Sequence, residues 1–466
     1  MPRTRAHILL LPLLILTAAL PAAAGPRPGK TRTALDRYVA APDLAYTYRP
    51  VSSVKGAGYT IHVVHMVSQE WRTEAEVNRT KWEHWLTIIQ PDQVRTPIGF
   101  LYITGGSNGS PPPNAADPVF VRMAVQTSSV VTELRMVPNE PLTFKDETAS
   151  RTEDAIIAYT WDRFLKSGDE KWPLRLPMTK SAVRAMDTVT AFCASPERGR
   201  VKVEKFVVSG GSKRGWTTWT TAAVDDRVIA IAPFVIDVLN VEPSIQHHFR
   251  AYGFYAPAIG DYTAMKLTQQ GGHARYKALM EIEDPYSYRD RLTMPKLIVN
   301  STGDQYFLPD SWQFYWDGLK GEKHLRYVPN TRHSLSGNND ARETLQAFYE
   351  AVIAGRDRPR YSWKVERDGS IRVTTKDKPT AVNLWQATNA KARDFRLDII
   401  GPAYTSTSLQ PEKDGVYVAR VPKPAAGWTA FFVELTFPSG GTYPYKMTTG
   451  VHVVPEVLPF PAPESK

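Results

Sequence analysis

The stretch 204-EKFVVSGGSKRGWTTWTTAA-223 runs an apolar, β-branched segment into a serine among small residues and follows it with a segment rich in Trp, Thr and Ala. A strand that ends in Gly-x-Ser and turns at once into a helix puts the serine on a sharp, strained corner with its hydroxyl exposed above a sheet. Strand and helix approach closely at such a corner, so the neighbours must be small, and Gly210 and Gly211 supply the room. The helix N-terminus behind Ser212 favours developing negative charge, and the Lys213 backbone N–H is placed to donate to an oxyanion. One position departs from Gly-x-Ser-x-Gly: Arg214 stands where the second glycine belongs, with Gly215 one later. The plainer reading of the same residues is a glycine-rich turn with a surface serine. A phosphate loop fits less well, because neither G-x-x-x-x-G-K-[ST] nor G-x-G-x-x-G is met.

Chain order favours the nucleophile reading. An α/β-hydrolase carries its serine, its acid and its histidine in that order, the acid after a later strand and the histidine near the end of the domain. The strand-like run 296-KLIVNST-302 leads into 303-GDQYFLPD-310, which sets Asp304 at its carboxyl end, and 325-LRYVP-329 leads into 330-NTRHSL-335, which does the same for His333. His333 is expected to take the Ser212 proton and return it to the leaving group, with Asp304 orienting the imidazole and stabilising its cation. Asp310 is the fallback acid or the cap of the next helix. His62, His65, His247, His248 and His452 are expected to be structural. The second oxyanion donor should come from 102-YITGGSNGSPPP-113, where Gly105 and Gly106 let the backbone turn its amides toward Ser212. Gly106, Ser107 and Asn108 are all candidates.

The rest of the chain agrees with this frame. Strands alternating with helices predict an α/β fold with a mostly parallel sheet covered on both faces. The hydrolase domain is expected over 33–355, with a cap insertion at about 238–290. After the polar linker 355-GRDRPR-360, short alternating runs such as 371-IRVTTK-376, 395-FRLDII-400, 416-VYVARV-421 and 430-AFFVELTF-437 predict a small antiparallel β-sandwich, Ig-like, over 361–455. The segment 33-TALDRYVAAPD-43 reads as a short helix and the proline-rich end 455–466 as loose.

At the N-terminus, Arg3 and Arg5 precede 8-ILLLPLLILTAAL-20 and an A-x-A site ending at Ala24, the pattern of a secretory signal peptide over 1–24. Residues 25–32 read as a mobile leader. The protein is therefore expected to be periplasmic or secreted, without a transmembrane anchor after cleavage. Its single cysteine, Cys193, allows no internal disulfide and reads as a small buried hydrophobe. The formal net charge of +10 would favour adhesion to an anionic envelope surface, but the basic residues are scattered and no nucleic-acid motif appears. No H-E-x-x-H or clustered ligand pattern points to a metal, and no cofactor is expected.

The runs 34-ALDRYVAAPD-43, 209-SGGSKRGWTTW-219, 235-VIDVLN-240, 301-STGDQYFLPDS-311 and 329-PNTRHSL-335 resemble the PhoPQ-activated pathogenicity-related protein family, and the likeness covers nearly the whole chain after the leader. The resemblance implies an exported protein with an α/β-hydrolase domain. It also makes Arg214 part of the usual motif, while leaving the substrate open.

The insertion 238–288 is rich in Tyr, Phe and His, which either line a pocket over Ser212 or form the core of a helical cap. Asp237 and Glu242, where that segment leaves the sheet, could bind the free amine of a peptide substrate or could be solvated or capping residues. Three functions remain open on the sequence: an esterase or amidase acting on a small-molecule substrate, an aminopeptidase or dipeptidyl-peptidase on the same triad, and a secreted binding factor on a hydrolase fold.

Overall fold

The structure is a computed structural model, which describes residues 32–337 and 339–463. The expected signal peptide and all but the last residue of the mobile leader lie outside those residues. Among the described residues, no helix is long and apolar enough to cross a membrane.

The strands of the first part of the chain are β1 (Thr47–Gly56), β2 (Tyr59–Glu70), β3 (Lys81–Pro91), β4 (Ile98–Ile103), β5 (Val131–Leu134), β6 (Lys205–Gly211), β7 (Val228–Phe234), β8 (Lys296–Ser301) and β9 (Lys323–Val328). They form one sheet in the order β1-β2-β3-β5-β4-β6-β7-β8-β9. Pairing is antiparallel through β1, β2, β3 and β5, and parallel from β5 through β4, β6, β7 and β8 to β9. The central strands are the most apolar, as expected of strands covered on both sides; β8 is buried along its whole length. β1, an exposed edge strand with the polar sequence TYRPVSSVKG, has no buried face to give it a period, and the sequence reading passes over it.

The helices are α1 (Ala34–Ala40), α2 (Pro118–Thr127), α3 (Glu153–Ser167), α4 (Arg175–Ala194), α5 (Lys213–Val224), α6 (Val241–Tyr252), α7 (Gly260–Ala264), α8 (Ala274–Glu283), α9 (Ala341–Ile353) and α10 (Leu397–Ile400). α1 begins at a capping box in which Thr33 and Asp36 satisfy each other's backbone amides. α1, α4 and α5 cover one face of the sheet around Leu35, Met186 and Trp219, while α2 and α9 cover the other around Phe120, Met123 and Phe348. α6 to α8 form the expected cap, inserted between β7 and β8. This strand order, with crossover helices on both faces, is the α/β-hydrolase fold.

The C-terminal strands are β10 (Tyr361–Val365), β11 (Ile371–Thr375), β12 (Ala381–Asn389), β13 (Thr405–Ser408), β14 (Val416–Ala419), β15 (Trp428–Phe437), β16 (Tyr445–Thr448) and β17 (His452–Val454). A three-stranded sheet, β10-β11-β14, lies over β12, β15 and their neighbours, with Ile371, Val373, Phe431 and Val433 buried between. The sandwich is not free-standing. β16 pairs with β9 at Thr448 and Leu325, so its larger sheet continues the hydrolase sheet. The buried Arg326 of β9 pairs with Glu434 of β15 across this junction. Two local expectations are corrected here. The run 395–400 forms the helical turn α10 instead of a strand. The proline-rich end is docked as far as Phe460, whose amide donates to Arg250 O at 3.1 Å and whose ring lies against Gly253 of the cap.

Candidate active site

Ser212 sits at the junction of β6 and α5 with φ 57° and ψ −128°, a conformation that L-residues adopt only under constraint. Its amide donates to Phe234 O at 2.9 Å and its carbonyl accepts from Trp216 N at 2.9 Å. The small neighbours are a steric requirement. A Cβ on Gly210 would stand 2.8 Å from Arg214 O and 2.9 Å from Ile103 O. One on Gly215 would stand 2.8 Å from Phe234 O and 2.9 Å from Gly210 O. The second obligatory glycine has thus moved one residue along the helix, which frees position 214 for a long side chain.

Asp304 and His333 meet as expected. His333 Nδ1 lies 3.0 and 2.8 Å from the two oxygens of the buried Asp304 carboxyl. Tyr306 N donates to the same carboxyl at 2.8 Å. His333 N donates to Gln305 Oε1 at 3.0 Å, and the imidazole packs against Tyr306 with centroids 4.4 Å apart. Among the described residues His333 Nε2 has no hydrogen-bond partner, Ser212 Oγ included, which leaves it unspent for a proton. The two loops are tied together by Ser301 Oγ donating to Thr331 O at 2.5 Å and by Gly303 N donating to the same carbonyl at 3.2 Å.

The sandwich buttresses these loops. Leu397 N of α10 donates to Gly303 O at 3.1 Å, and Gln305 Nε2 donates to Asp398 at 3.0 Å. Asn330, just before the histidine turn, exchanges two hydrogen bonds with the Tyr404 backbone at 2.9 Å each.

Ser212 opens onto a cavity with about 680 Å³ of empty space. Ile157, Trp161 and Trp216 line it from the body, Val238, Ile245 and Tyr276 from the cap, and Tyr306 and Phe307 from the acid loop. The cap aromatics therefore divide between the two roles the sequence left open: Tyr262 and Tyr276 line the cavity, while Phe249, Tyr255 and His248 pack among themselves. Three ionic residues also reach the wall, Asp154, Arg175 and Lys213. Arg175 is 1% exposed and donates to Lys213 O at 2.7 Å, fixing the start of α5. Asp154 accepts from Tyr262 Oη at 3.0 Å and pairs with Lys213 Nζ at 3.2 Å. No local motif marks these wall residues. The exceptions are Tyr262 and Tyr276, which fall in the aromatic-rich insertion, and Tyr306 and Phe307, which lie two and three residues after Asp304.

Asp237 is not at the cavity. Ile236 and Val238 line it, while the Asp237 side chain between them is buried elsewhere. Asp237 is 2% exposed, and its two oxygens accept from Tyr315 Oη and Tyr327 Oη at 2.6 Å each. Burial raises this carboxyl to about 8 despite the two hydroxyl donors. It is a core group and cannot bind a substrate amine. Glu242 lies in the first turn of α6 against Gly271, away from the cavity wall.

Asp310, the fallback acid, is also engaged elsewhere. Its carboxyl accepts from Arg393 at 2.6 Å and lies 3.0 Å from His247 Nε2, so it neither faces His333 nor caps the turn that follows it. His62 contacts the Ser53 hydroxyl at 2.8 Å, and His248 accepts from Ala256 N at 3.0 Å. Both fit structural roles.

Of the oxyanion candidates, Lys213 N heads α5 beside Ser212. Across from it, the 104–108 loop is zipped along residues 134–140, with Thr104 N donating to Leu134 O at 2.8 Å and Met136 N to Gly105 O at 2.9 Å. Asn108 N is spent on Glu140 O, which leaves Gly106 and Ser107. Gly106 has φ +137°, a value a side chain would oppose.

The profile of the PhoPQ-activated pathogenicity-related protein family matches residues 35–396. The chain is 36% identical over 456 residues to the autocrine proliferation repressor protein A of Dictyostelium discoideum, covering 92% of each chain. Among solved structures it is similar to an acetyl xylan esterase from Paenibacillus sp. R4, with 15% identity and a TM-score of 0.48 over 68% of this chain and 92% of that one. It is also similar to acetyl xylan esterase 1 from a Thermoanaerobacterium species, with 12% identity and a TM-score of 0.46 over 71% and 96% of the two chains.

Proposed function

The chain belongs to the PhoPQ-activated pathogenicity-related protein family, and from that premise we propose that it is an exported serine hydrolase that cleaves an ester or amide bond through an acyl-enzyme. Two observations carry this reading: a strained Ser212 at the cavity wall, and a histidine held through Nδ1 by a buried carboxyl with its Nε2 unspent among the described residues. Ser212 Oγ attacks the substrate carbonyl carbon as its proton passes to His333 Nε2. The resulting oxyanion is met by Lys213 N–H and by an amide of Gly106 or Ser107. His333 then protonates the leaving alcohol or amine, and a water activated by the same imidazole releases the acid. Asp304 holds the ring in the required tautomer throughout. The apolar wall of the cavity supports a substrate with an apolar group beside the scissile bond. The signal-peptide pattern at 1–24 supports action in the periplasm or outside the cell. The basic excess supports retention at an anionic envelope surface.

The test is covalent labelling of the purified protein with a fluorophosphonate probe, beside Ser212→Ala and His333→Ala. Labelling of the parent alone is expected. A second reading, a secreted binding factor on the same fold, is favoured by the name of the Dictyostelium relative, a repressor of proliferation. A Ser212→Ala protein that kept its full biological effect would select it.

A further inference from the structure

The long side chain at position 214 spans two parts of the site. Arg214 is 9% exposed, and its Nε donates to Val137 O. Nη1 and Nη2 donate to the two carboxylate oxygens of Glu153 at 2.9 and 2.8 Å, and Nη2 lies 3.5 Å from Glu140 Oε1. The groups it holds carry the glycine loop: Val137 N donates to Thr104 O at 3.1 Å, and Glu140 O accepts from Asn108 N at 2.5 Å. Gly105 lies so close to the guanidinium that a Cβ there would stand 2.5 Å from Nη2. The other end of this brace is fixed two residues from the nucleophile, in the first turn of α5.

We propose that Arg214 is a positioning residue that sets the 104–108 loop at a fixed distance from Ser212, so that the Gly106 or Ser107 amide meets the oxyanion. The proposal rests on the serine-hydrolase reading. A planar fork of donors can serve a backbone carbonyl and a bidentate carboxylate at once, which a lysine ammonium cannot. The surrounding carboxyls carry the imprint of the brace. Burial would raise Glu153, but the bonds and charge of Arg214, with the Lys213 ammonium, hold it below the usual carboxylate range. Burial and the neighbouring Glu153 charge raise Glu140 above the usual carboxylate range. Glu140 in turn accepts Glu153 N at 2.6 Å, closing the ring of contacts.

The test compares parent, Arg214→Gln, Arg214→Lys and Gly105→Ala on p-nitrophenyl butyrate, with active sites titrated by fluorophosphonate. A positioning role predicts that kcat per titrated site falls about 30- to 300-fold in all three variants while KM stays within about 3-fold. Affinity for an alkyl boronic acid, which forms a tetrahedral adduct, should fall in proportion to kcat. Arg214→Lys should not rescue. A kcat within 3-fold of the parent in Gly105→Ala, or a KM that rises as kcat falls, overturns the proposal. If Arg214→Gln does not fold, Gly105→Ala, which keeps the arginine, decides alone. A parent that takes no fluorophosphonate removes the serine-hydrolase reading and this proposal with it, whereas a labelled parent with unaffected variants removes this proposal only.

Discussion

Replacing Asp237 by Asn should make the protein's stability less sensitive to pH between 5 and 7. The carboxyl is buried between two tyrosine hydroxyls and titrates at about 8 in the fold, against an ordinary value of 3.8. A carboxyl raised in this way favours the folded state most below its unfolded value, where both states hold the proton. That contribution is lost as pH climbs toward the folded value, because the unfolded chain can ionise and the folded one cannot. The loss is about 1.4 kcal/mol per pH unit across the interval, so pH 5 to 7 accounts for up to about 3 kcal/mol. Asn keeps a carbonyl acceptor and does not titrate. Urea unfolding of parent and Asp237→Asn at pH 5 and pH 7 measures the difference directly. The stability of the parent minus that of the variant should drop by about 2–3 kcal/mol over those two units. A difference that stays constant, or that grows with pH, would refute a neutral buried carboxyl beneath the cavity floor.

Asp304→Asn should slow fluorophosphonate labelling of Ser212 by about 10⁴-fold, because an amide nitrogen opposite His333 Nδ1 favours the wrong tautomer; stopped-time labelling followed in gel measures it. Gly303→Ala should destabilise the protein by about 1–3 kcal/mol, since its Cβ would stand 2.8 Å from both Thr331 O and Leu397 Cβ; thermal unfolding against the parent shows it. Val238→Phe, which narrows the cavity from the cap side, should shift preference toward shorter acyl chains across a p-nitrophenyl ester series, with acetate hydrolysed at a rate within a few-fold of the parent.

The parts of the site visible in the sequence are those whose chemistry depends on local geometry. The crowded corner at Gly210, Ser212 and Gly215 leaves its signature in residue size, and Asp304 and His333 stand at the carboxyl ends of strands that their own apolar runs announce. Asp237 was misplaced because its role depends on which way its side chain turns, and Ile236 and Val238 on either side carry no sign of it. Arg214, Glu140 and Glu153 are far apart in the chain and converge only through the fold. The run 395–400 has strand-like composition but serves as a turn of helix, because Leu397 N and Asp398 are taken up by the acid loop. The junction of β9 and β16 was likewise out of reach, since an edge left by one domain and filled by another has no local pattern.

The most direct test of the whole account is whether Ser212 is an activated nucleophile. The purified protein, with Ser212→Ala and His333→Ala beside it, is treated with a fluorophosphonate probe and the modified residue is located by peptide mass. The account predicts stoichiometric modification of the parent at Ser212 and none in either variant. A folded parent that takes no probe, or takes it at another residue, would contradict it.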